Sequence, residues 1–159
     1  MEYLEDHRPQ DILHRYELRA VIEGYAARLA ARNMTGWQIE ELRVRAERTM
    51  AAKKTADRET RREASQAFHN YLLANCGNPL LGQVWESYHL QPVVPRSAEL
   101  EMKILGGIPD ERAHNERLMR TVEAIAAHDP DEAERTMRDY VREITEAIRR
   151  VVTEEGISD

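Results

Sequence analysis

The stretch Ser65-Gln66-Ala67-Phe68-His69-Asn70-Tyr71-Leu72-Leu73-Ala74-Asn75-Cys76-Gly77-Asn78-Pro79-Leu80-Leu81 carries a helix, its stop and a restart. Phe68, Leu72 and Leu73 stand at i, i+4 and i+5, which gathers apolar side chains on one side of a helix. His69 shares that side with Ser65 and the two leucines. Gly77, lacking a Cβ, takes the left-handed conformation that ends helices at little cost. Asn78 then caps the next helix and Pro79 opens it, at a position where the missing N–H has no role. The remainder of the chain reads as helices packed around the one that bears His69.

Upstream, Asp11 is a candidate N-cap for an amphipathic helix that runs to about Arg32 through Ile12, Leu13, Tyr16, Ile22, Tyr25, Ala26 and Leu29. Thr35-x-x-Gln38 is a capping-box pattern, and Leu42, Val44, Ala46 and Met50 carry a second helix to about Lys54. The third begins near Asp57. The fourth, from Pro79, holds Leu80, Leu81, Val84, Trp85 and Tyr88 and is broken by Pro92 and Pro95. Ser97 caps a short helix closed by Gly106-Gly107. Pro109-Asp110-Glu111 starts a helix that reaches His128. Asp129-Pro130-Asp131-Glu132 starts the last, which runs to about Val152 and buries Ala133, Met137, Tyr140, Val141, Ile144, Ala147 and Ile148. No alternating run or hairpin signal suggests a strand. The expected fold is an all-α antiparallel bundle of six or seven helices, with a flexible segment at 1–10 and a tail at 153–159.

At 159 residues, of which 42% are apolar, the chain fits a single domain with an adequate core. One cysteine, Cys76, excludes an internal disulfide and suits a reducing, cytoplasmic setting. No apolar run is long enough to span a membrane, and no leader is evident. The net charge of −6 argues against nucleic-acid binding by this chain itself. Its most basic cluster, Lys53-Lys54, Arg58 and Arg61-Arg62, is interleaved with Asp57, Glu59 and Glu63 and reads as a solvated helix face.

Of six histidines, His7 lies in the N-terminal segment, His14 at a boundary, and His89 and His128 near helix ends, where an imidazole suits the dipole. His69 is the one on an apolar face. No metal-binding Cys or His motif, phosphate loop or nucleophile elbow is present. The acids read as solvent-facing, so no acid–base pair stands out.

Four stretches in fixed order carry a family likeness: Tyr16 to Ala31, with its Leu18-Arg19, Glu23 and alanine pattern; Phe68-His69-x-x-Leu72 followed by Gly77-Asn78-Pro79-x-Leu81; Ala124 to Ala133; and Met137-Arg138. On these the chain, over about residues 11–152, resembles the effector-binding FCD domain of GntR-type bacterial transcription regulators of the FadR subfamily. The resemblance implies a homodimeric sensor of a small metabolite, often a carboxylate. Its DNA contact would come through a winged helix-turn-helix domain missing from this chain, which would be an excised or free-standing sensing domain.

Many members of that family hold a divalent metal with an Asp and three His. Carried over position by position, these fall on Ser65, His69, Leu118 and Tyr140, so one of four matches. Serine, leucine and neutral tyrosine are poor ligands, and no zinc or nickel cofactor is expected, although His114, one turn before Leu118, is a substitute ligand if the backbone shifts. In place of a metal, Arg19 is a candidate carboxylate clamp, or else it pairs with Glu23 four residues on. Ser65, His69, Asn115 and Tyr140 are expected to supply neutral donors, with Leu118 as an apolar wall. Two alternatives stay open: an enzyme with His69 as general base, and an interaction module with a filled core.

Overall fold

The computed structural model describes residues 9–92 and 97–154. Its seven helices are α1 (Pro9–Asn33), α2 (Gly36–Ala52), α3 (Arg58–Asn75), α4 (Pro79–Ser87), α5 (Ala98–Gly106), α6 (Glu111–Ala126) and α7 (Pro130–Glu154). No strand occurs among the described residues. The expected N-terminal segment and C-terminal tail lie almost wholly outside these residues, as do His7 and the break at Pro95.

The helix starts follow local chemistry. Thr35 and Gln38 complete the capping box, and Asp57, Asn78, Ser97 and Asp110 each accept a backbone N–H from the first turn of their helix. Asp129 Oδ1 accepts from Glu132 N at 3.0 Å. Several ends differ from expectation. α1 begins at Pro9, so Asp11 lies within its first turn rather than capping it. α4 stops at Ser87, ahead of Pro92, because the chain reverses at His89 (φ 51°), whose carbonyl accepts from Arg15 Nη1 at 2.8 Å. α6 stops at Ala126, and His128 sits beyond it in the left-handed region (φ 54°), donating from Nδ1 to the Ala31 carbonyl at 2.9 Å.

The most extensive packing is between α1 and α7. They run antiparallel: Arg28 near the end of α1 pairs with Asp131 and Glu134 at the start of α7, while Glu17 meets Arg149 near the other end. Alanines at 20, 26, 27, 30 and 31 keep the buried side of α1 thin. At Gly24 the approach is closest, since a Cβ there would fall 2.4 Å from Arg138 Cγ. Tyr25 and Val44, expected in apolar stripes, are instead exposed. α6 lies antiparallel to α7, with Thr121 bonded to Thr136 at 2.9 Å and His114 to Glu143 at 2.7 Å. α2 lies against both α3 and α6, and Thr49 Oγ1 joins the first pair by donating toward the Arg45 and Ala64 carbonyls.

Candidate functional site

Two polar features lie inside the bundle, side by side. The first is a sealed charge cluster on α1 and α3. Arg19 and Glu23 are one turn apart on α1 among Tyr16, Ala20 and Ala27, all buried, and Glu23 is 0% exposed. Arg19 Nε donates to Glu23 Oε2 at 2.9 Å, and the other carboxylate oxygen meets His69 Nδ1 from α3. The guanidinium carbon stands 4.4 Å from the centre of the Tyr16 ring and 5.3 Å from that of Trp85, a cation–π cage. Arg19 Nη1 is buried without an acceptor among the described residues. Of the two readings open for Arg19, the pair with Glu23 is the one formed.

The protonation states follow from burial and charge. Burial pushes the Glu23 carboxyl up, but Arg19 and His69 outweigh it and hold it below the usual carboxylate range. Burial opposes the charge of Arg19 too, and Glu23 restores it. Burial pulls His69 down, more strongly than Glu23 raises it. The cluster is therefore an ion pair with a neutral imidazole set against it, His69 Nδ1 in close contact with Glu23 Oε1 but not aligned as a hydrogen bond. Glu23 overturns the expectation that the acids face solvent. Its position was readable, because it continues the buried line of Tyr16, Ala20 and Ala27 at helical spacing.

The second feature is a cavity of about 360 Å³ bounded by α1, α2, α3, α5, α6 and α7. Tyr16 belongs to both features: it lines the cavity and carries Arg19 over its ring. Ser65, Asn115 and Tyr140 are in the wall. His69, Arg19 and Leu118 are not. Leu118 is fully buried in the core, and a near-parallel row of rings, Trp85, His69, Tyr140 and His114, leads from the charge cluster to the cavity. The imidazole that reaches the wall is His114, stacked on Tyr140 at 4.4 Å.

Lys53, Arg61 and Arg62 also line the cavity, which corrects their assignment to a solvated face. Arg61 Nη2 binds Glu101 from α5 at 2.9 Å, and Arg58 binds the same carboxylate. Lys53 Nζ donates to Asn115 Oδ1 at 2.5 Å and to Tyr140 Oη at 3.3 Å. Leu105, Ile108 and Ile144 form the apolar part of the wall. No local signal past the end of α2 separates Lys53 from Lys54; the contacts that do so come from α6 and α7, far along the chain.

The positions assigned by resemblance to a divalent metal do not fit one. Leu118 offers no donor, His69 Nδ1 is turned to Glu23, and no group of three His, Cys, Asp or Glu side chains suited to an ion occurs among the described residues. A general-base role for His69 would need substrate access, yet the ring is 1% exposed and outside the cavity wall.

Fold and site together define a class: an all-helical bundle with a polar cavity beside a buried ion pair. The chain belongs to the FCD domain family, whose model matches residues 14–143. Among solved structures it is similar to a GntR protein of Streptococcus agalactiae (TM-score 0.65, 18% identity, covering 86% of this chain and 59% of that one). It is similar to McbR/YncC of E. coli (TM-score 0.67, 18% identity, 86% and 67%). It is also similar to the metal-free FCD domain of TM0439 (TM-score 0.61, 17% identity, 92% and 98%). At these identities the likeness is one of fold. The chain thus spans 59% of the length of the first of these proteins. No match is found among curated proteins. No helix among the described residues is long and apolar enough to cross a membrane.

Proposed function

We propose that the chain is the effector-sensing and dimerising domain of a GntR-type transcription regulator, taking a small carboxylate-bearing metabolite into the cavity beside Tyr140. It acts in the cytoplasm, and contact with DNA falls to a separate winged-helix domain. The observation that carries this is the wall itself, in which Ser65, Asn115, Tyr140, His114 and Lys53 line one cavity together with Leu105, Ile108 and Ile144. Polar groups set beside an apolar wall in one cavity are what fixes the orientation of a small molecule. In this reading the ligand needs no metal, because Lys53 supplies a cation in the wall itself, while the Arg19 charge behind Tyr16 is balanced by Glu23. A cavity of this size also disfavours an interaction module with a filled core.

A thermal-shift screen of organic acids and acyl thioesters tests this. A true effector raises the unfolding midpoint in a dose-dependent way, as mass action requires, and leaves the mass in solution that of a dimer. A screen in which no compound stabilises the protein, on a chain that runs as a monomer, would overturn it.

A further inference from the structure

We infer that Lys53 is the anion anchor of the cavity and His114 its hydroxyl acceptor, so that the site selects a hydroxy-monocarboxylate with an apolar tail. This rests on the reading of the cavity as an effector site and names the class of compound it takes.

The inference begins from the charges in the wall. Arg61 is bound to Glu101, and Arg62 to Glu59. Lys53 is bound to two neutral oxygens and has no carboxylate partner among the described residues. An ammonium carries three donors, and Asn115 and Tyr140 take two. Both partners are oriented by the lysine: with Asn115 Oδ1 accepting, its amide N–H groups are left to donate, and with Tyr140 Oη accepting, its own hydroxyl hydrogen is free to donate. One cation and two neutral donors thus converge, which is what a single carboxylate needs.

His114 adds the opposite polarity. Its Nδ1 is 2.7 Å from Glu143 Oε2, and a carboxylate only accepts, so Nδ1 carries the proton. Burial, with Lys53 and Arg117 nearby, pushes the ring down to about 3. Glu143 acts the other way, but its carboxylate is shared with Arg117. The neutral ring leaves Nε2 as an acceptor, in a wall whose other polar groups near Lys53 donate. A ligand hydroxyl close to its carboxylate satisfies it, whereas an unsubstituted acid leaves it dry and unpaired. A second carboxylate on the ligand would meet Arg61 or Arg62, whose charges Glu101 and Glu59 already balance, or else Glu101, Glu111 or the apolar wall of Leu105, Ile108 and Ile144. The tail of a monocarboxylate fits that wall.

The probes are 2-hydroxy acids of four to eight carbons, the matching unsubstituted acids and the matching dicarboxylates, titrated by calorimetry into the wild-type chain. The expected order is hydroxy acid tightest, the unsubstituted acid weaker by about tenfold, and the dicarboxylate weakest. Lys53→Gln keeps hydrogen bonding without the charge and should weaken every carboxylate by about tenfold or more. Lys53→Met is a second removal of the charge, and circular dichroism checks that both variants fold. His114→Phe should erase the preference for the hydroxyl while leaving the unsubstituted acid bound. Wild-type affinity retained in both folded lysine variants would overturn the anchor and leave the effector reading standing. Equal binding of hydroxy and unsubstituted acids would overturn the role of His114. If the wild type binds no carboxylate but another compound stabilises it, this inference fails together with the carboxylate part of the effector reading, and the sensing role stands; if nothing at all binds, the sensing role falls too.

Discussion

Removing the Glu23 carboxylate would leave the Arg19 guanidinium buried with no counter-charge. Glu23→Gln should therefore lower the unfolding free energy by about 3–5 kcal/mol, as for other broken buried pairs. The double variant Arg19→Met with Glu23→Leu should cost less than the single, because two apolar side chains replace a desolvated pair. Urea unfolding of the three proteins measures this, and a double variant worse than the single would show that the pair itself stabilises the fold. The histidines give a pH dependence of fixed sign. In the unfolded chain His114 takes up a proton below its ordinary value near 6.5, while the folded ring stays neutral down to about 3. Stability is thus fully present above pH 6.5 and is lost as pH falls through that window, by about 1.4 kcal/mol per unit for one such group. His69 and Glu23, both held low, act in the same direction. Unfolding free energies between pH 7 and pH 4 should fall, and His114→Gln should fall with a shallower slope. A rise toward acid would contradict the neutral assignment.

Helix starts were the most legible level of the structure, and the reason is range. Thr35 and Gln38, Asp57, Asn78 with Pro79, Ser97 and Asp110 each act on backbone within their own first turn, so the pattern carries the whole interaction. Helix ends depended on partners elsewhere, as at His89 and His128. The site was legible in part for the same reason. Ser65, Asn115 and Tyr140 reached the wall, but Glu23 meets His69 across two helices, and Lys53 meets Asn115 from the end of α2. Neither contact leaves a periodic trace. Gly77 shows how firmly a local signal can be fixed by tertiary packing. It has φ 97°, and a Cβ there would fall 2.6 Å from Asn33 Nδ2, which donates to the Cys76 carbonyl at 3.1 Å. Gly77→Ala should cost about 2 kcal/mol or more. Gly36→Ala, where a Cβ meets nothing within 4 Å, should be neutral or slightly stabilising. Thermal melts of the two variants, followed at 222 nm, compare them directly.

At the scale of the molecule, the long antiparallel pair α1 and α7 holds the ion pair and the Tyr140 side of the cavity in one layer, with α2, α3 and α5 contributing the rest of the wall. The resemblance carried the overall fold but not the donor set at Ser65, Leu118 and Tyr140, because a family pattern can persist in the backbone where its donors differ. Protein purified without chelator should contain zinc and nickel well below one per chain, and added chelator should leave the thermal midpoint unchanged. Stoichiometric metal that departs together with His69→Ala would refute this. The guanidinium of Arg19 has one further consequence. An ion borrowed from the surroundings comes and goes with its supply, whereas a charge built into the polypeptide is delivered by translation. Whatever this bundle detects, starvation for trace elements cannot strip the Arg19–Glu23 pair from its heart.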